Sequence, residues 1–146
     1  MTIPTQYDEQ NIIAKIIRGE IPNYTVYEDD EILSFMDIMP QTNGHLLVVS
    51  KTASISLLDA DPAALATLIQ KVQTIAQAMM GYFKPDGISL RQYNGAAAGQ
   101  TIFHLHFHLI PVQKDTLIGQ HASEMASAET LAMQAADLKQ ILDAQA

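Results

Sequence analysis

Three histidines alternate with apolar residues in the stretch FHLHFHLIP at positions 103–111; they are His104, His106 and His108. Successive side chains of a β-strand point to opposite faces, so a strand here would place all three imidazoles on one face. Side chains two apart on a strand stand about 6.5–7 Å from each other, close enough to address one ligand. Because imidazole titrates near neutral pH, it can act as nucleophile, proton donor or metal ligand. The stretch therefore predicts a chemical site on a strand.

Two kinds of chemistry fit this spacing. Histidines at i and i+2 on a strand can chelate zinc if a third ligand, such as His45 or Asp37, comes from elsewhere. Alternatively, a neutral imidazole nitrogen attacks phosphorus while a neighbouring histidine donates a proton to the departing atom. The chain contains no cysteine and no His-Glu-x-x-His helix to support a metal site. Spacing alone leaves both interpretations open.

Composition narrows the class of protein. The chain has 146 residues, 48% of them hydrophobic, which suits one domain with a sizeable core. Its net charge is −8, and its eight Lys and Arg residues are scattered, so we expect no nucleic-acid partner. No apolar stretch is long enough for a membrane span, and the N-terminus lacks a signal pattern. We therefore predict a cytoplasmic protein that binds no membrane.

Periodicity predicts an α+β fold. A short helix is expected at 11–18 and a long one from Asp61-Pro62 to Gly81, where a 3.6-residue apolar period holds. Strands are expected at 24–28, 32–36, 45–50, 88–93 and 101–111. A last helix is predicted from Ser127, with four residues on its buried stripe: Leu131, Ala135, Leu138 and Leu142. Residues 1–146 are thus one domain, in which 113–146 form a C-terminal extension of undefined role.

The sequence resembles the histidine triad (HIT) superfamily. Its signature is matched by His104-Leu105-His106-Phe107-His108-Leu109-Ile110, and the blocks at 15–22, 35–51 and 92–111 match in order. The resemblance implies a five-stranded antiparallel sheet with a long helix and a short N-terminal helix. It also implies a homodimer across which the sheet extends to ten strands. Bacterial members often hold a structural zinc, but its ligand positions here are Asn11, Ala14 and Ala53, so we expect no zinc.

The resemblance further implies hydrolysis through a covalent nucleotidyl-histidine intermediate, with neither metal nor cofactor. His106 would be the nucleophile, His108 would contact the phosphate and leaving group, and His104 and His45 would orient the nucleophile. Asp37 would bind the ribose hydroxyls. The base would contact Phe35, Ile38, Ile12 and Ile16, and the phosphate would lie against Asn94, Gly99, Gln100 and Thr101.

The predicted activity is hydrolysis of a nucleoside phosphoramidate or a related purine nucleotide at the alpha-phosphate. A histidine at position 108, where the transferase branch typically has glutamine, favours the hydrolase branches. Two alternatives remain beside it: a dinucleoside polyphosphate hydrolase, and a slow or non-catalytic nucleotide-binding scaffold protein.

Overall fold

The computed structural model describes residues 3–115, 118 and 124–145. Its elements are, in chain order, α1 (Ile12–Ile17), β1 (Thr25–Glu28), β2 (Ile32–Met36), β3 (Leu46–Ser50), α2 (Pro62–Phe83), β4 (Gly87–Arg91), β5 (His106–Val112) and α3 (Ala128–Ala144). Single 3₁₀ turns lie at Leu57–Asp59 and Ala96–Ala98. The predicted α+β class is confirmed.

All five strands form one antiparallel sheet in the order β1-β2-β3-β5-β4. β3 and β5 are neighbours although they are far apart in the chain, and their register places His106 opposite Val49 and His108 opposite Leu47. The two strand histidines therefore project from an inner strand of the sheet, where His108 is paired with both β3 and β4 and His106 is paired with β3.

The two faces of the sheet carry different packing. On one face α2 covers β5, and its Leu68, Val72, Ile75 and Met79 share a core with Phe107 and Leu109. On the other face, Leu47 and Val49 of β3 pack with Ile13 of α1. His106 and His108 alternate with Phe107 and Leu109, so their side chains lie on the α1 side of the sheet. The predicted division between an apolar and a histidine face is confirmed for β5.

The C-terminal helix belongs to the main core. The Ser127 hydroxyl caps α3 by accepting from the Thr130 N–H, and the predicted stripe of Leu131, Ala135, Leu138 and Leu142 is buried. The Tyr82 hydroxyl donates to Asp137 Oδ2 at 2.6 Å, which ties α3 to the end of α2. The extension from 113 thus ends in a packed element; its positions 116, 117, 119–123 and 146 lie outside the described residues.

Three predicted boundaries are corrected. α2 continues through Gly81 to Phe83, because Tyr82 and Phe83 pack against the core, and it ends at Lys84 in the left-handed region at φ +51. β4 ends at Arg91 rather than at Tyr93. β5 begins at His106 instead of Thr101, since Leu105 donates its N–H to the Ser54 carbonyl and not to a strand. None of the described helices has the length and apolar character to cross a bilayer.

Candidate active site

A cavity of about 400 Å³ opens on the α1 side of the sheet. Its polar lining comes from His106 and His108 on β5, Asp37 just after β2, and Thr101, with Asn23 at one wall. Most of the remaining wall is apolar and includes Ile12, Ile13, Ile16, Ile21, Pro22, Phe35, Ile38, Met39, Leu47 and Ile102. No described residue lining this cavity is Lys or Arg. The cavity therefore suits a flat apolar group next to a small polar one.

The hydrogen bond of His106 fixes which of its nitrogens carries the proton. Its Nδ1 lies 2.6 Å from the His104 carbonyl oxygen, which can only accept, so Nδ1–H is the donor. In the neutral ring, Nε2 then carries the lone pair. This is the tautomer that a nucleophile needs.

A second chain of hydrogen bonds fixes His45 and His108. The Gln41 backbone N–H donates to His45 Nδ1 at 3.0 Å, so the proton of a neutral His45 is on Nε2. His45 Nε2 lies 3.0 Å from His108 Nδ1 and donates to it. The neutral His108 consequently carries its proton on Nε2, which makes that atom a donor. His108 is thus a candidate hydrogen-bond donor beside His106, with the two rings edge to face at 4.9 Å between centroids.

The turn that leads into β3 positions His45. Gly44 has φ +92, in the region that favours glycine, and a Cβ there would lie 2.7 Å from Cζ of Phe83. Asp37 donates its backbone N–H to the His45 carbonyl at 3.0 Å, so both ends of the loop between β2 and β3 are joined. The Asp37 carboxylate accepts from the Met39 N–H at 2.8 Å and has its other oxygen 3.6 Å from His45 Nε2.

His104 is buried outside the cavity wall. Its Nε2–H donates to the Ser50 carbonyl at 2.8 Å, and its Nδ1 lies 2.5 Å from the Tyr7 hydroxyl. Burial lowers the pKa of His104 to about 4, a shift that the Ser50 carbonyl opposes only in part. His104 is therefore neutral at physiological pH, and its backbone carbonyl is the acceptor for His106.

A metal fits this arrangement poorly. Among the described residues, Asp37, His45 and His108 place ligand atoms within 4.8 Å of one another. A metal bound at His45 Nε2 would require the proton on Nδ1, where it would face the Gln41 N–H, also a donor. A metal bound at His45 Nδ1 would displace the same backbone donor. These hydrogen bonds therefore disfavour a metal ion at His45.

Only one of the four predicted phosphate-side residues lines the cavity. Thr101 lines the cavity, whereas Asn94, Gly99 and Gln100 do not. The buried Gln100 amide accepts from the Gly95 N–H and donates to the Ile55 and Ile102 carbonyls. Asn94 Oδ1 accepts from the Leu57 N–H. These side chains shape the 94–101 loop.

The predicted base-side residues all line the cavity. Phe35 and Ile38 come from β2 and its following loop, and Ile12 and Ile16 from α1; all four line the cavity. Sequence reasoning missed eight further lining residues: Ile13, Ile21, Pro22, Asn23, Met36, Met39, Leu47 and Ile102. It also missed Gln41 and Tyr7, which contact histidines, because neither shows a periodic or motif signal in the sequence.

The fold and the site together define an α+β protein with a cavity lined by triad histidines. A sequence model described as the HIT domain matches residues 18–115. Protein hit of Bacillus subtilis is 40% identical over 103 residues, which are 70% of this chain and 71% of that protein. A crystal structure described as a Hit-like protein involved in cell-cycle regulation, from Bartonella henselae, is 45% identical and superposes with a TM-score of 0.87 over 93% of this chain and 98% of that one.

A third relative carries an enzyme name. The adenylylsulfatase HINT3 of Arabidopsis thaliana is 41% identical over 100 residues, which are 68% of this chain and 51% of that protein. The match thus spans about half of the plant protein. The chain belongs to the HIT family, a superfamily of nucleotide-binding hydrolases. This confirms the resemblance carried by residues 104–110.

Proposed function

We propose that the protein hydrolyses nucleoside phosphoramidates, or related purine nucleotides, at the alpha-phosphate through a covalent intermediate on His106. The observation that carries the proposal is the His106 Nδ1–H bond to the His104 carbonyl, because it leaves the lone pair on Nε2. The enzyme name of the plant relative, an adenylylsulfatase, supports chemistry at an adenylyl phosphorus.

The first step forms one bond to phosphorus and breaks another. His106 Nε2 attacks the alpha-phosphorus, and the P–N bond to the amine breaks. The electron pair of that bond leaves with the amine nitrogen, which accepts a hydrogen bond from His108 Nε2–H and takes its proton from solvent. His45 supports this hydrogen bond because it donates to His108 Nδ1 and so holds the His108 ring in the tautomer with its proton on Nε2.

The second step restores the enzyme. A water molecule attacks phosphorus, the P–Nε2 bond to His106 breaks with its electron pair returning to Nε2, and the water proton passes to solvent. The products are a nucleoside monophosphate and the free amine, and both histidines regain their starting state. Neither step needs a metal or cofactor.

The cavity supports a substrate with one phosphate. Its wall is mainly apolar, and Asp37 is the ionisable carboxylate among the described lining residues. We propose that Asp37 binds the ribose hydroxyls and that Ile12, Ile16, Phe35 and Ile38 enclose the base. A dinucleoside polyphosphate brings several negative charges to a wall without Lys or Arg, so we rank it second.

Intact-protein mass spectrometry after rapid mixing with adenosine phosphoramidate tests the proposal. We expect a transient adenylyl adduct on the wild-type chain and none on His106→Ala. Turnover that persists in His106→Ala would overturn the nucleophile. Tight nucleotide binding by the wild type with neither adduct nor turnover would favour the scaffold alternative, and faster cleavage of diadenosine polyphosphate would favour the second-ranked substrate.

We also propose that the protein forms a homodimer through β4. This strand lies at one end of the sheet order, and its Leu90 is 48% exposed. Such an edge favours pairing with a second strand. Light scattering should give twice the chain mass for the wild type and for Met133→Glu, an exposed position on α3, and a lower mass for Leu90→Glu. A monomeric wild type would contradict the proposal.

A further inference from the structure

Tyr7 contacts the triad from outside the matched HIT domain. That domain begins at residue 18, whereas Tyr7 lies in the segment before α1. Its hydroxyl is 2.5 Å from His104 Nδ1, and the two rings meet edge to face with 5.6 Å between centroids. The contact joins residues 97 positions apart in the chain.

The partners of His104 determine the direction of this bond. His104 Nε2 faces the Ser50 carbonyl, which can only accept, so Nε2 carries the proton and Nδ1 must accept. Tyr7 O–H is thus the donor. Burial raises the pKa of Tyr7 above its ordinary value, which keeps the hydroxyl protonated and able to donate. With 1% of its surface exposed, His104 has little access to a replacement from solvent.

The segment that carries Tyr7 is anchored to the domain on both sides. Arg18 Nη1 donates to the Glu9 carbonyl at 2.7 Å, and Asn11 Nδ2 donates to the Asp8 carbonyl at 2.7 Å. Toward the N-terminus, Ile3 packs so closely on Gly95 that a Cβ there would lie 2.9 Å from Ile3 Cγ1. The hydroxyl is therefore held against His104 by contacts on each side of it.

His104 passes this constraint to the nucleophile. Its side chain is fixed at both nitrogens, by Tyr7 and by Ser50, and its backbone carbonyl is the acceptor for His106 Nδ1–H at 2.6 Å. Since His104 precedes β5, no described strand pairing holds its backbone. The Leu105 N–H, which shares a peptide unit with the His104 carbonyl, donates to the Ser54 carbonyl at 2.9 Å. This backbone bond and the two side-chain bonds of His104 together fix the carbonyl that orients His106.

We propose that Tyr7 is a positioning residue for His106, acting through the side chain and carbonyl of His104. Its catalytic consequence rests on the proposed function, but the Tyr7 to His104 bond does not. Residues 3–11 are then a functional part of the site, although they lie outside the HIT domain match.

The test is Tyr7→Phe, which keeps the ring and removes the donor. Tyr27→Phe is the matched control, because Tyr27 donates to Asp29 at 2.6 Å on β1, away from the triad. Loss of one hydrogen bond predicts a fall in kcat of about fivefold with KM within about twofold. ¹⁵N NMR of the imidazoles should show a changed His104 Nδ1 resonance. The His104 titration midpoint should rise, since a bond to its neutral form is lost.

The two readouts separate the possible failures. Wild-type kcat together with an unmoved His104 resonance in Tyr7→Phe would overturn the inference, as would a moved resonance with unchanged kcat. An equal loss of kcat in Tyr27→Phe would also overturn it, because the effect would then be one of general stability. If the wild type forms no adduct while the His104 resonance still moves in Tyr7→Phe, that result would defeat the proposed function and leave the Tyr7 bond to His104 established.

Discussion

His45 Nε2 lies 3.0 Å from His108 Nδ1, and this one contact decides where the His108 proton sits. The Gln41 backbone N–H donates to the other nitrogen of His45, so both hydrogen bonds are donated in the direction from the loop to the cavity. The backbone amide of Gln41, two hydrogen bonds away from His108, therefore determines that His108 presents an N–H donor to the cavity.

His45→Phe should slow the reaction and leave nucleotide affinity nearly unchanged. Phenylalanine keeps a ring in the buried position but gives His108 Nδ1 no donor, so the His108 proton is no longer confined to Nε2. We expect a loss in kcat of roughly tenfold. Gln41→Ala is the control, since it keeps the backbone N–H that donates to His45. If steady-state kinetics showed the same loss of kcat in Gln41→Ala as in His45→Phe, the role of these hydrogen bonds would be contradicted.

Asp37→Asn should weaken binding of ribonucleotides more than it slows chemistry. An uncharged amide makes a weaker acceptor for hydroxyl groups, so KM should rise about tenfold with a smaller change in kcat. The exposed Asp30→Asn should behave as wild type. A 2′-deoxy substrate supplies the internal check: if Asp37 binds the ribose, wild type and Asp37→Asn should differ less on it. An equal difference on both sugars would argue against that contact.

The free energy of unfolding should fall on acidification because of His104. Burial lowers the pKa of this imidazole to about 4 from an ordinary value of 6.5. Between these pH values the unfolded chain binds more protons than the folded one, so stability is lost as pH falls through the window. The whole shift corresponds to about 3 kcal/mol. Urea denaturation of wild type and His104→Asn should show a shallower pH dependence in the variant; parallel curves would be inconsistent with a buried neutral His104.

Leu138→Ala should show that α3 is part of the core. Leu138 is fully buried among residues of the main core, so its truncation should lower the free energy of unfolding by about 2–5 kcal/mol. Met133→Ala on the same helix, where the side chain is 54% exposed, should change it by less than about 0.5 kcal/mol. Chemical denaturation measures both. Equal values would mean that α3 contributes little to the folded domain.

Periodicity predicted those parts of the fold that local physics dictates. The alternation at His106, Phe107 and His108 requires opposite faces in any strand, and the stripe of α3 contains the four predicted buried residues. The start of β5 was not predicted correctly, because Leu105, just before it, donates its N–H to the Ser54 carbonyl rather than to a neighbouring strand. The end of α2 was missed for a similar reason: core contacts of Tyr82 and Phe83 outweigh the helix-ending preference at Gly81.

The site was predictable in its residue types and less so in its connections. The three histidines, Asp37 and the apolar wall follow from the motif blocks, and the structure gathers most of them around one cavity. The tautomers could not be read from the sequence. They depend on the Gln41 amide and the Ser50 and His104 carbonyls, backbone groups whose positions only the folded chain defines.

The close approach of Gly44 to the Phe83 ring links the helix end to the catalytic loop. With no room for a side chain between them, the turn before His45 closes onto the last residue of α2. Fraying of that final helical turn would release the loop and loosen His45, which contacts Asp37 and His108 of the cavity wall. We therefore expect the tip of α2 and the loop that carries His45 to have similar local stability.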